Sequence, residues 1–132
     1  MIEKLSDSRL FAESQTYRPF AYPWAVDLTK EHEKMHWVED EIPLGDDVTD
    51  WKLGRLSPQE KEFVTQILRM FTQADVNVGQ FYYDNLIPVI GNNEIRQMLG
   101  SFASREGTHQ RAYALLNDTL GLPEGDYRAF LE

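Results

Sequence analysis

An apolar stripe interrupted by three polar residues constrains the fold of this chain more than any other feature. In the C-terminal half, the residues of this stripe follow one another at steps of three and four, the spacing at which side chains share one face of an α-helix. The stripe consists of Ile95, Leu99, Phe102, Glu106, His109, Tyr113, Leu116 and Leu120. Because a buried polar group is costly unless it is paired or bound to a metal, the stripe predicts both a long helix and a site on it.

A second long helix is predicted directly upstream. Residues 57–60, Ser-Pro-Gln-Glu, form a capping box with proline at the first helical position, and the helix is expected to run to about Ile87, where the next residue is proline. Its inner stripe consists of Val64, Ile67 or Leu68, Phe71, Asp75, Val78, Tyr82 and Leu86. Asp75 again interrupts an apolar row.

Turn residues separate the two long helices. Gly91-Asn92-Asn93 is the expected turn, with Asn93 as the cap, and the second long helix should span about Glu94 to Leu120 and end at Gly121. Two long antiparallel helices joined by a short turn are half of a four-helix bundle.

The remaining segments give the rest of an all-α arrangement. Residues 1–23 are predicted to form an extended arm, and residues 24–132 an incomplete helical domain. Within that domain we expect a charged helix from Trp24 to about Trp37, an irregular acidic stretch from Glu39 to Leu56, and a short helix from Pro123 through Leu131.

Composition excludes several classes of function. The 132 residues carry a net charge of -9, which argues against nucleic acid as a direct partner. The chain has neither a long apolar run nor a signal peptide at its N-terminus, so we expect no membrane span and a cytoplasmic protein. Since it contains no cysteine, any metal must be bound by oxygen and nitrogen, which suits iron, manganese or zinc.

The polar residues on the two helices form a candidate metal site. Asp75 lies on one helix, and Glu106 and His109 lie one turn apart on the other. Proteins with a carboxylate-bridged metal pair take one carboxylate from each of two helices and a Glu-x-x-His from each of the other two. The three residues match one half of that set.

At this point the sequence resembles the small, radical-carrying subunit of class I ribonucleotide reductase. The residues that carry the resemblance are the run Phe102–Tyr113, the spacing from Asp75 to Glu106, Trp37-Val-Glu-Asp-Glu-Ile, Asp50-Trp51 and residues 56–60. It covers roughly residues 20–132 and implies a ferritin-like fold.

The resemblance also implies a role for each of five residues. Asp75, Glu106 and His109 correspond to metal ligands, Tyr113 to the tyrosine that is oxidised to a stable radical, and Trp37 to the tryptophan that relays an electron to the subunit surface. The apolar wall that would protect the radical has three candidates, which are Leu99, Phe102 and Leu116.

The partners implied by the resemblance lie outside this sequence. The family's second half-site, a Glu and a further Glu-x-x-His, is expected downstream of Glu132. We therefore expect a companion polypeptide to complete a dinuclear centre, with truncation as the alternative. The expected metal is iron, with manganese or a mixed pair left open. The implied assembly is a dimer of small subunits with a large catalytic subunit, on which ribonucleotides are reduced to deoxyribonucleotides for DNA replication.

Other readings of the sequence remain open. His32-Glu33-Lys34-Met35-His36 matches the zinc-protease pattern H-E-x-x-H, although its charged surroundings favour a solvated helix. Glu33 and His36 also form a Glu-x-x-His, but its place in the chain does not fit the family. A ferritin-like oxidase or oxygenase fragment and a non-catalytic helical fragment that only binds a partner are the further alternatives.

Overall fold

All regular structure in the described part of the chain is helical. The computed structural model describes residues 9–128, apart from the side chains of residues 126 and 127, and no strand occurs among them. The α-helices are α1 (Pro23–Lys34), α2 (Gly45–Lys52), α3 (Pro58–Gln80), α4 (Asn93–Leu120) and α5 (Gly125–Arg128). The predicted all-α class is therefore confirmed for these residues. No helix in this range combines the length and the apolar character that a membrane span requires.

The described residues divide into two compact units. The arm unit consists of residues 9–36 and 78–105, and the site unit consists of residues 37–77 and 106–128. Helices α3 and α4 each contribute residues to both units. The predicted boundary between an arm of residues 1–23 and a domain of residues 24–132 stays a prediction.

The start of α3 follows from local side-chain chemistry. The Ser57 N–H donates to Glu60 Oε2 at 2.8 Å, and the Glu60 N–H donates to Ser57 Oγ at 3.3 Å, so the predicted capping box is confirmed. The α-helical part of α3 ends at Gln80. The chain then forms a π-helical turn over Phe81–Leu86 and a 3₁₀ turn over Ile87–Val89. Pro88 lacks an N–H and crowds the carbonyl one turn back, which accounts for the widened last turn.

Helix α4 begins one residue earlier than expected. The Asn92 side chain caps it by accepting the Ile95 N–H at 3.1 Å, so the prediction of Asn93 as the cap is wrong. The Asn93 N–H instead donates to Ser14 Oγ at 2.9 Å, a long-range contact that local sequence does not reveal.

The end of α4 is as predicted. Gly121 has a positive φ of 75°, a backbone conformation that favours glycine. Its N–H bonds Asp118 O and the Leu122 N–H bonds Asn117 O, both at 3.0 Å, which is the Schellman arrangement.

Two of the shorter segments differ from expectation. Helix α1 ends at Lys34, so Trp37 lies outside it, and α2 occupies Gly45–Lys52 in a stretch predicted to be irregular. Asp46 and Asp47 stabilise the first turn of α2 through the helix dipole. The short helix predicted through Leu131 is seen as α5, and its expected last residues lie outside the described range.

The described residues before α1 pack within the arm unit. The core of the arm unit is a cluster of buried apolar residues, against which Leu10 and Tyr22 pack. The cluster consists of Ala25, Ile90, Ile95, Met98 and Leu99. The buried Glu94 accepts the N–H groups of Ala21 and Tyr22 at 2.6 and 3.0 Å, immediately before α1 begins. The Glu94 carboxylate thus caps the start of α1, where the N-cap residue Tyr22 makes no capping hydrogen bond with its own side chain.

Candidate metal centre

Asp75, Glu106 and His109 lie together in the site unit. Their ligand atoms fall within 4.8 Å of one another, and no other group of three such residues is found in the part of the chain that the structure describes. The ring Nδ1 of His109 lies 3.1 Å from Glu106 Oε2. The structure therefore brings together all three residues that were predicted to be ligands.

Contacts between α3 and α4 in the site unit set this geometry. The Gln110 side chain donates to the Asp75 backbone carbonyl at 3.1 Å, and the Asn117 side chain donates to Thr72 Oγ1 at 3.4 Å. Residue numbers rise along one helix as they fall along the other, so the paired segments are antiparallel, as predicted. These bonds hold Asp75 opposite the turn that carries Glu106 and His109.

The surroundings of Asp75 disfavour the charged form of its carboxyl group. Burial raises its pKa, the neighbouring Glu106 carboxylate raises it further, and His109 acts in the opposite direction. Its Oδ2 atom is buried and has no hydrogen-bond partner. A buried carboxylate oxygen without a donor is costly, and a metal ion is one group that would satisfy it. With two carboxylates and an imidazole, the donor set suits a hard or borderline divalent cation.

Tyr113 lies one turn beyond His109 in an apolar setting. Its ring stacks on Phe71 with centroids 5.7 Å apart and an interplanar angle of 11°. Burial raises the pKa of the Tyr113 phenol, and the Asp75 carboxylate adds to that shift. The phenol is thus held protonated beside the ligand cluster. Phe71 was predicted to lie on the inner face of α3, but its contact with Tyr113 was not.

Trp37 also reaches the cluster. Its ring stacks on that of His109 with centroids 5.9 Å apart and an interplanar angle of 28°. Nothing in the periodicity of the sequence indicates this contact, because Trp37 lies in an irregular segment after α1.

An apolar cavity of about 500 Å³ opens beside the cluster. It is lined by Trp37, Ile42, Leu44, Phe71, Asp75, His109, Ala112, Tyr113 and Leu116. Leu116 is the one predicted wall residue that lines this cavity, whereas Leu99 and Phe102 lie in the arm unit. Sequence reasoning missed Ile42 and Leu44, which follow an acidic run that resembles a solvated loop.

The competing zinc motif does not form a ligand cluster in the described residues. His32 Nδ1 lies 2.9 Å from Ser101 Oγ, and its ring packs edge-on against Phe102 at 4.8 Å. Glu33 and His36 are exposed. The motif thus forms a partly packed helix face in the arm unit, in keeping with the expectation of a charged, solvated helix.

A helical fold with carboxylates and a histidine on facing helices is typical of the helical-bundle proteins that bind a metal pair between their helices. The family model for the ribonucleotide reductase small chain matches residues 14–132. The chain therefore belongs to the ribonucleotide reductase small-chain family, and the helical structure of its described residues agrees with the ferritin-like fold expected of that family.

Individual relatives show how much of a small chain is present. The chain is 46% identical over 115 residues to the probable ribonucleoside-diphosphate reductase small subunit of Invertebrate iridescent virus 6, a match of 87% of this chain and 32% of that protein. The corresponding protein of Invertebrate iridescent virus 3 is 44% identical over 124 residues, which is 94% of this chain and 32% of the relative. The small chain of Acanthamoeba polyphaga mimivirus is 31% identical over 83% of this chain and 26% of its own length. The chain thus spans about a third of the length of these relatives.

Proposed function

We propose that this chain supplies half of a dinuclear metal centre and the radical tyrosine of a ribonucleotide reductase small subunit. The observation that carries the proposal is the cluster of Asp75, Glu106 and His109, with ligand atoms within 4.8 Å. The buried, unpartnered Asp75 Oδ2 supports it because that oxygen requires a positive partner.

Asp75, Glu106 and His109 would hold the metal, and Tyr113 would be the group oxidised. When bound, a redox-active metal pair supplies the oxidising power that removes one electron from the phenol. Tyr113 must release its proton together with that electron, since its raised pKa keeps the phenol protonated beforehand. The neighbouring Asp75 carboxylate would be the base that accepts this proton. Phe71 covers one face of the ring and limits access of water and reductants to it.

Trp37 would carry the oxidising equivalent away from the cluster. Its stacking on His109 gives a direct contact between the indole and a ligand ring. Electron transfer weakens steeply with distance, so ring contact favours this route over one through solvent.

The complete enzyme requires partners for this chain. A companion polypeptide with a Glu and a further Glu-x-x-His would complete the bundle and the centre, in a dimer-like small-subunit assembly. A separate large subunit would bind the ribonucleotide, and the names of the relatives favour a diphosphate substrate. Iron is the expected metal, with manganese or a mixed pair as alternatives, and the cytoplasm is the expected location.

Metal content of the assembled protein tests the ligand assignment. We expect Glu106→Ala and His109→Ala each to lower the metal bound by the chain once it is assembled with a companion polypeptide that carries the remaining ligands. Glu33→Gln and His36→Ala serve as controls from the zinc motif and should leave metal content unchanged. Full metal content in both alanine variants would refute the assignment.

The cavity supports a second candidate function. An apolar space of about 500 Å³ that Asp75, His109 and Tyr113 line would admit an organic substrate, as in a ferritin-like oxidase or oxygenase. The two functions differ in their requirement for a large subunit. Turnover of ribonucleotides only when the large subunit is added favours a reductase, whereas oxygen consumption with an added apolar substrate alone favours an oxidase.

A further inference from the structure

We propose that Glu39 and Arg111 form a clamp that positions Trp37 against His109. The purpose of the clamp rests on the proposed function of Trp37 as an electron relay. Arg111 Nε donates to Glu39 Oε1 at 2.6 Å. Trp37 and Glu39 are two residues apart in one segment, and their partners His109 and Arg111 are two residues apart on α4. The ion pair and the ring stack therefore join the same two pieces of chain.

The arginine is oriented by its own helix. Its Nη2 atom lies 3.4 Å from the hydroxyl of Thr108, which is buried on α4. Its Nη1 atom lies over Gly107, where a Cβ would be 3.6 Å away. The guanidinium thus lies back along the helix, towards the turn that contains Glu106 and His109, and its Nε faces Glu39.

Glu39 is the more buried member of the pair. Its side chain is 21% exposed, compared with 55% for Arg111, and its second oxygen, Oε2, is buried without a hydrogen-bond partner. The hydrogen bond from Arg111 lowers the pKa of the Glu39 carboxyl, as does a backbone hydrogen bond. The carboxylate is therefore charged, and its position depends on the arginine.

Trp37 needs such a clamp because no helix of its own holds it. The residue lies between the end of α1 at Lys34 and the 3₁₀ turn that begins at Glu39. Ordering an irregular segment costs conformational entropy at each residue. A charged contact two residues from Trp37 offsets part of that cost at the place where ring alignment matters.

The test uses the 132-residue chain without metal, in a Trp24→Phe/Trp51→Phe background, so that Trp37 is the sole fluorophore. We expect Glu39→Gln and Arg111→Gln each to raise the accessibility of Trp37 to acrylamide roughly two- to fivefold, the range expected for loss of a partly exposed ion pair. The charge reversal Glu39→Arg/Arg111→Glu should restore protection that each single reversal removes. Asp40→Asn, which removes an exposed charge from the same turn, is the matched control and should have no effect.

A second readout separates positioning from general stability. We expect the His109 ring, which stacks on the indole, to quench Trp37 emission. Glu39→Gln should therefore raise the emission when His109 is present and leave it unchanged in a His109→Ala background. Helix content should stay constant throughout. Unchanged accessibility in both clamp variants, an equal effect of Asp40→Asn, or loss of helix content in Arg111→Gln would overturn the proposal. These measurements involve neither metal nor radical. A negative result for the clamp would therefore not contradict the proposed function, and the clamp can be tested even if the proposed function is wrong.

Discussion

Phe71 on α3 and Tyr113 on α4 stack almost in parallel, with ring centroids 5.7 Å apart. The stack covers one face of a phenol whose pKa is raised by burial and by the Asp75 carboxylate. Helix packing thus places an oxidisable, protonated ring beside the candidate metal ligands, with an apolar surface on one side.

Removal of the Phe71 ring should expose Tyr113. We expect Phe71→Ala to lower the free energy of unfolding by about 1–2 kcal/mol, below the usual cost for a buried phenylalanine because Phe71 is 42% exposed. It should also shorten the lifetime of any radical on Tyr113, measured by the decay of the radical signal in the assembled protein. Phe63→Ala on the same helix is the control, since Phe63 is 66% exposed. Equal radical lifetimes in the two variants would show that the stack gives no protection.

Asp75 should have opposite effects on stability and on metal binding. In the metal-free chain at neutral pH, Asp75→Asn should maintain or raise the melting temperature, because it removes a buried charge whose Oδ2 has no partner. The same change should abolish stabilisation by added metal, which for one site amounts to about 2.7 kcal/mol at a hundredfold excess over Kd. Thermal unfolding measures both effects, the first on the metal-free chain and the second on the chain assembled with its companion polypeptide, with and without Mn²⁺. Asp84→Asn, at an exposed position, should retain the metal effect, and the ligand role of Asp75 is wrong if Asp75→Asn retains it too.

Glu94 should make the arm unit sensitive to acid. Burial raises its pKa, but hydrogen bonds from the Tyr22 N–H, its own N–H, the Asn92 side chain and the Ala21 N–H outweigh burial, so the pKa is lowered overall. A lowered folded-state pKa contributes stability above the ordinary glutamate value of about 4.3, and this contribution is lost as the pH falls through the folded-state pKa. Glu94→Gln should cost about 1–2 kcal/mol at neutral pH and flatten this acid dependence in urea unfolding. The exposed Glu33→Gln is the control, and an unaltered acid profile in Glu94→Gln would contradict the account.

Gly91 and Gly100 should respond in opposite directions to alanine. A Cβ at Gly91 would lie 2.5 Å from the Phe11 backbone oxygen and 2.6 Å from the Ala12 carbonyl carbon, so the backbone would have to move. We expect Gly91→Ala to destabilise the chain by about 1–3 kcal/mol. Gly100 is inside α4 with open space around it, and Gly100→Ala should add about 0.5–1 kcal/mol. Urea unfolding of the two variants checks this, and a loss of stability in Gly100→Ala equal to that in Gly91→Ala would contradict the packing described for Gly91.

Local patterns in the sequence were enough to predict the two long helices and the pairing of Glu106 with His109 in the candidate site. The Ser57–Glu60 capping box and Gly121 are complete within a few residues, so their signals are readable without tertiary structure. The Asn92 cap is equally local, but the bond from the Asn93 N–H to the distant Ser14 is not, and the π-helical turn depends on crowding at Pro88. In the site, helical spacing alone aligns Glu106 with His109.

Contacts from irregular segments were not predictable in the same way. Trp37 stacks on His109 and Glu39 bonds Arg111, and both contacts join residues about 72 positions apart in the chain. Periodicity reports which face of a helix a residue occupies, but it does not report what an irregular segment brings to that face. The resemblance to a family suggested a role for Trp37, and the structure supplied the ring contact that supports it.

The most direct test of the central claim is electron paramagnetic resonance of the chain assembled with its companion polypeptide, metal and oxygen. We predict a tyrosyl signal whose hyperfine pattern changes when the chain alone carries deuterated tyrosine. In Tyr113→Phe this signal should disappear while metal content stays the same. A signal that persists unchanged in Tyr113→Phe, or its absence from the fully metal-loaded wild-type assembly, would contradict the account.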